Sequence, residues 1–271
     1  MSIKLLLPTY RARERYIRKA LGAISPDGRV GRMLHVGSGE GEVDHWLAPV
    51  AEHIDSIDIN HGDVAVAHAS GAELSNVRYS VQDGERMAFG DASFDLAVCL
   101  EVIEHATHPG ALLRDIGRVL RPGGHLLLTC PHANFPFTYD PLNSVLERWG
   151  LRLPLGAYGY GHHWLATEAE VAGWAREAGF EVVSFTPLSH HLVGLAECYL
   201  PGLAQKLLKR NAANTGADDF SSRLAPPPRP HGTIGEPALV SLTDLLIALD
   251  ARLATSTSSS IGLAWTFRRR A

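Results

Sequence analysis

The chain has 271 residues, 45% of them hydrophobic and 20% charged, with a formal net charge of -4. That length supports one or two domains with a sizeable core, and the balanced composition excludes both a small stapled scaffold and global disorder. A pI near 6.4 and a mean hydropathy of -0.02 give no whole-protein attraction to nucleic acid or to an anionic membrane.

Lys4 is followed only by Leu5, Leu6 and Leu7 before Pro8, too short an apolar run for a secretory leader. No run of about 18 apolar residues occurs, so no membrane span is expected. The segment Tyr10-Arg11-Ala12-Arg13-Glu14-Arg15-Tyr16-Ile17-Arg18-Lys19 reads as a basic helix. It suits either contact with phosphates or, more plainly, a solvated face whose Tyr16, Ile17 and Leu21 turn inward.

From Met33 onward, short aliphatic or β-branched runs alternate with helical stretches, the signature of βαβ units and a mainly parallel sheet. Strands are expected at about 33–36, 53–58, 77–81, 94–99 and 124–130. One helix is expected near Gly41, one after Gly62, and one from Gly110 to Leu120, where Leu112, Leu113, Ile116 and Leu120 recur at helical spacing. Arg121-Pro122-Gly123-Gly124 then stops it.

Residues 131–164 are rich in Pro, Gly and aromatics and long for a connection, which marks a candidate functional loop. Thr167 and Glu170 form a capping-box pattern opening a helix to Ala178, closed by Gly179. Phe180 to Thr186 reads as a sixth strand and Ile261 to Arg268 as a seventh. Helix candidates near 192–210 and 237–254 fall between them, separated by a Pro, Gly, Ala and Ser-rich stretch at 211–235 that is expected outside the packed core. The expected organisation is an N-terminal helical segment at 1–29, a cofactor-binding core at 30–186, a helical insertion or cap at 187–260, and a last core strand at 261–271.

Leu34-His35-Val36-Gly37-Ser38-Gly39-Glu40-Gly41 is an apolar strand running into alternate glycines. Such a turn lets a ligand lie against bare backbone, and a following helix offers unpaired N–H groups; it can equally be a plain strand-to-helix turn. Asp58 closes the second strand about twenty residues on, where an acid can take both hydroxyls of a ribose. Gly41 lies two residues after Gly39 rather than three, so the dinucleotide fingerprint is not met.

Gln82-Asp83-Gly84-Glu85 follows the third strand, and Leu100-Glu101-Val102-Ile103-Glu104-His105 follows the fourth. With these motifs and the Leu-Arg-Pro-Gly-Gly turn, the chain over residues 30 to 186 resembles the class I S-adenosylmethionine-dependent methyltransferases, in their small-molecule branch. The resemblance implies a Rossmann-like, doubly wound, mostly parallel seven-stranded sheet with helices on both faces and a helical insertion before the last strand. It also implies that Gly37, Ser38, Gly39 and Gly41 underlie the methionine part of S-adenosylmethionine. Asp58 and Ile59 would hold the ribose side, Asp83 and Gly84 would edge the adenine, and Leu100, Glu101 and His105 would wall the sulfonium. One departure is His35, two places before Gly37, where this family commonly carries an acid that anchors the amino-acid end of the cofactor. Glu40 and Glu101 are the candidates to compensate.

A sulfonium carries its own leaving group, so the protein must mainly place a nucleophile in line and exclude water. A base is required only where the nucleophile loses a proton, and His105, His132 and His163 are the candidates. His132 stands just beyond the fifth strand, where ligands bind in open α/β sheets. His163 lies in the glycine-hinged aromatic segment Tyr158-Gly159-Tyr160-Gly161-His162-His163-Trp164. A hydrogen-bonded structural role is the plain alternative for each. No metal is expected: His162-His163 and His190-His191 lack an established ligand spacing. Cys99, Cys130 and Cys198 are too scattered for a disulfide framework and point to a reducing, cytoplasmic setting.

The leading expectation is a methyltransferase acting on a small-molecule acceptor, with hydroxyl oxygen favoured and a natural product, sugar or lipid-linked compound in view. A non-catalytic protein that binds the same cofactor and a nicotinamide-dependent oxidoreductase are the alternatives, since a Rossmann-type sheet hosts many functions.

Overall fold

A computed structural model of the chain describes residues 7–26, 28–133, 141–151, 153, 165–194, 236–254 and 260–271. The expected helix near 192–210 is described only to residue 194, and the stretch at 211–235, His162, His163 and the aromatics of their loop lie outside these residues.

Seven strands form one sheet: β1 (Val30–Val36), β2 (Ala51–Asp58), β3 (Val77–Val81), β4 (Phe94–Leu100), β5 (Leu120–Pro131), β6 (Phe180–Leu188) and β7 (Gly262–Arg269). Their spatial order is β3-β2-β1-β4-β5-β7-β6. The first five run parallel, and β7 pairs antiparallel with both β5 and β6. The order reverses between β1 and β4, the place where an open α/β sheet forms a ligand crevice at its carboxyl edge. Because β6 and β7 pair along their lengths, the residues inserted between them leave and return at that one edge of the sheet.

Alternation along the strands builds two cores. Leu34 and Val36 of β1, Ala97 and Cys99 of β4, and Leu126, Leu128 and Cys130 of β5 pack on one face beneath α4 (Pro109–Val119) and the helix Glu168–Glu177. Met33, Leu96, Val98, Leu100 and Leu127 point to the other, where α1 (Pro8–Ile24) lays down Tyr16, Ile17, Ala20 and Leu21. A period of two in the strands thus serves helices on both sides. The Tyr16 hydroxyl meets Thr266 Oγ1 at 3.2 Å, so α1 is tied to the last strand by a buried polar contact.

Local chemistry sets the helix starts. Asn60 caps α3 (His61–Ser70) by accepting the N–H of Gly62 at 2.8 Å. Thr167 and Glu170 form the full capping box expected for the helix Glu168–Glu177. Two expectations change. The helix after the glycine turn is α2, only Asp44–Leu47, so a long helix does not follow Gly41. The Arg121-Pro122-Gly123-Gly124 segment does not separate α4 from its strand: β5 starts at Leu120, and the β4–β5 register shifts between Phe94 and Leu96 to absorb the extra residues.

Most of the α1 bases are committed to protein partners. Glu14, 2% exposed, pairs with Arg11 and Arg18. Arg11 also pairs with Asp244 at 2.9 Å, on the helix Glu236–Leu253. This arrangement makes the basic run a packed helix with a solvated side. Among the described residues, no helix is long and apolar enough to cross a membrane.

Candidate active site

The carboxyl edge gathers the glycine turn after β1, Asp58 at the end of β2, Asp83 after β3, Glu101 after β4 and His132 after β5. At Gly37, φ is +72° and an added Cβ would lie 2.2 Å from Val102 Cγ2. The glycine there is required both by backbone conformation and by the close approach of the β4 loop. Gly39, at φ +51°, has nothing within 4 Å of where a Cβ would stand, and this leaves bare backbone open to a ligand. Between them Ser38 is 7% exposed, and its hydroxyl has no hydrogen-bond partner among the described residues.

Asp58 is joined to this turn. Its Oδ2 accepts the N–H of Gly39 at 2.8 Å and its Oδ1 that of Asn60 at 2.9 Å. Each oxygen retains acceptor capacity for a vicinal diol. Ile59 beside it is 68% exposed, and Val81, the register partner of Asp58, is exposed as well. Asp83 Oδ1 accepts the N–H of Glu85 at 2.9 Å, and Gly84 packs against Val36 and Leu112, which fixes that edge. The open backbone at Gly39 and the fixed Asp58 carboxylate suit the chemistry of the cofactor expected from the sequence.

Leu100 is buried, and Glu101 follows with φ +55°, a left-handed conformation rare for a non-glycine residue. Its side chain is held twice. Thr129 Oγ1 donates to Oε1 at 2.8 Å, and Arg13 Nη2 stands 3.1 Å from Oε2. Glu104 is 2% exposed with neither oxygen hydrogen-bonded among the described residues, and burial, then the charge of Glu101, push its pKa well above the carboxylate range. His105 is exposed on the turn after Glu101, its backbone N–H donating to the Val102 carbonyl.

His132, unlike His105, is buried. It is 2% exposed, with Nδ1 3.0 Å from the Ser260 carbonyl. A carbonyl only accepts, so in the neutral ring the proton sits on Nδ1 and Nε2 presents its lone pair. That Nε2 is buried with no partner among the described residues. Burial pulls the pKa of the ring below its ordinary value of 6.5.

A groove of about 540 Å³ lined by Gly31, Arg32, Asp55, Arg78, Asp95 and Arg121 lies at the opposite, amino edge. Two of its arginines are paired within the protein, Arg32 with Asp55 at 2.9 Å and Arg121 with Asp95 at 2.7 Å, and it holds none of the residues above. Sequence reasoning did not assign Arg13, Asp44, Glu104 or Thr129. Glu104 had a signal in its Glu-Val-Ile-Glu-His segment and Arg13 in the basic run, whereas Asp44 and Thr129 had none.

Residues 10–185 match a family model described as a methyltransferase domain. The ubiquinone biosynthesis O-methyltransferase of Coxiella burnetii is 27% identical over 161 residues, 59% of this chain and 67% of that protein. The protein of the same name from Xanthomonas oryzae is 33% identical over 153 residues, 56% of this chain and 63% of that protein. The chain therefore matches about two thirds of the length of these curated relatives. Among solved structures, phosphoethanolamine N-methyltransferase 2 of Haemonchus contortus in complex with S-adenosyl-L-methionine has a TM-score of 0.58 at 16% identity, covering 95% of this chain and 53% of that one. That likeness is one of fold.

Proposed function

The chain belongs to the methyltransferase-domain family, and from that premise we propose that it moves the methyl group of S-adenosylmethionine to a hydroxyl oxygen of a small organic acceptor, with His132 as the base. The bound cofactor supplies an electrophilic methyl group on a sulfonium that leaves as a neutral thioether. His132 Nε2 takes the proton of the acceptor hydroxyl, and the Nδ1–H bond to Ser260 holds the ring in the tautomer that can do so. Gly37, Ser38, Gly39 and Gly41 hold the amino-acid end, Asp58 and Ile59 the ribose side, Asp83 and Gly84 the adenine, and Leu100 with Glu101 the wall at the sulfonium.

The observation that carries this reading is the buried Nε2 of His132, without a hydrogen-bond partner among the described residues, at the carboxyl edge of the sheet. The hydroxyl acceptor is supported by relatives named as O-methyltransferases. The glycine spacing and the family match set aside the nicotinamide-dependent alternative. Transfer of labelled methyl groups to a panel of phenols, alcohols and amines tests the proposal. Methylated phenols or alcohols are the expected products. Methylated amines alone would overturn the oxygen assignment, and cofactor binding with no transfer to any acceptor would favour the non-catalytic reading.

A further inference from the structure

The first turns of α1 reach the carboxyl edge of the sheet. Tyr10 sets its ring edge-on against Trp46 of α2, with the centroids 5.0 Å apart, and Arg13, one turn along, places Nη2 3.1 Å from Glu101 Oε2. The rest of the helix is anchored elsewhere: Ile17 and Leu21 are buried in the core, Tyr16 meets Thr266, and Arg11 pairs with Asp244. The Arg13–Glu101 pair therefore joins a firmly docked helix to the residue that follows β4.

Glu101 is gripped from β5 as well. Its backbone N–H donates to the Thr129 carbonyl at 3.0 Å, and Oε1 accepts the Thr129 hydroxyl at 2.8 Å. Partners on two elements thus fix a residue whose left-handed backbone would otherwise relax. The neighbouring acid Glu104 is buried and holds its proton, since burial and then the charge of Glu101 push its pKa well above the carboxylate range. One carboxylate and one guanidinium remain in the cluster, and they cancel.

That cancellation matters beside a sulfonium, because positive charge leaves the sulfur as the methyl group is transferred. A bare carboxylate at the wall would hold the charged ground state more tightly than the transition state and so raise the barrier. We infer that Arg13 is a positioning residue, which fixes Glu101 at the wall of the site and cancels its charge there, so that the site does not favour the charged cofactor over its neutral product. Arg13 acts through Glu101. The inference rests on the cofactor reading above and adds to it a role for the N-terminal helix.

Calorimetric titration with S-adenosylmethionine, cationic at sulfur, and S-adenosylhomocysteine, neutral at sulfur, tests it. Arg13→Met is expected to raise the ratio of the first affinity to the second by about five-fold or more. Arg13→Lys keeps a point charge where a single nitrogen makes the contact, and it should leave the ratio within about two-fold of the unaltered protein. With Glu101→Gln already in place, Arg13→Met should also move the ratio by less than about two-fold, since no carboxylate is left to unmask. A ratio that stays or falls in Arg13→Met, whatever happens to the two affinities together, would overturn the inference, because a merely structural helix contact does not tell the two ligands apart. A rise of the same size with Glu101→Gln in place would overturn it as well. If Arg13→Met does not fold, Arg13→Gln is read in the same way. Failure of the unaltered protein to bind either ligand would overturn the cofactor reading itself, so the two failures are separable.

Discussion

Asp58 Oδ2 accepts the N–H of Gly39 at 2.8 Å, which makes the turn after β1 and the acid ending β2 a single unit. Asp58→Ala therefore removes a ligand group and an internal brace together. We expect cofactor affinity to fall by about ten-fold or more, with a stability loss of about 1.5 to 3 kcal/mol from the charged hydrogen bonds. Titration and denaturant unfolding of the same variant read the two effects. Unchanged affinity in a folded variant would remove Asp58 from the ribose site.

His132→Asn should lower turnover by about 100-fold or more, with cofactor affinity nearly unchanged. The base must be neutral, and burial lowers the pKa of His132 from 6.5, so the acid limb of the unaltered enzyme's rate profile should lie below that pH. Linkage gives the same sign for stability. As pH drops from 6.5 through the lowered value, the unfolded chain takes up a proton that the folded one refuses, and stability falls. A profile without that limb, or full turnover in the variant, would move the role to His163 or His105, or leave positioning alone.

Glu104 predicts the opposite pH dependence. Its folded pKa is raised above the ordinary 4.5, so its contribution to stability is fully present below that value and is lost as pH rises through the folded one. Glu104→Gln keeps the shape and cannot ionise. Its melting temperature should exceed that of the unaltered chain at pH 8 by more than it does at pH 5. Parallel curves for the two proteins would show that Glu104 does not hold its proton.

Gly37→Ala places a methyl group at φ +72° and 2.2 Å from Val102 Cγ2. Left-handed backbone costs about 1 to 2 kcal/mol and overpacking about 1 to 3, so a loss of about 2 to 5 kcal/mol is expected. Val102→Ala should relieve only the packing part. A double-mutant cycle by urea unfolding measures that coupling, and strict additivity would show that Val102 is not what confines the turn.

Much of this architecture is written locally. The alternation of Leu34 with Met33, or of Leu126 with Leu127, fixes which face of the sheet each side chain joins, and Thr167 with Glu170 sets a helix start, because these depend on neighbours within a few residues. The glycine turn, Asp58 and the candidate base beyond β5 were legible for the same reason: strand ends meet at one edge whenever strands run parallel.

What the tertiary structure alone decided is which polar groups meet. Nothing in the linear order says that Arg13 crosses to Glu101, that Ser260 takes the Nδ1 proton of His132, or that Asp44 answers His35 beneath the turn. These are contacts between elements far apart along the chain or set by the packing of a short helix on two strands. A histidine's tautomer follows from such contacts. Burial determines their chemistry, and burial is a property of the folded assembly.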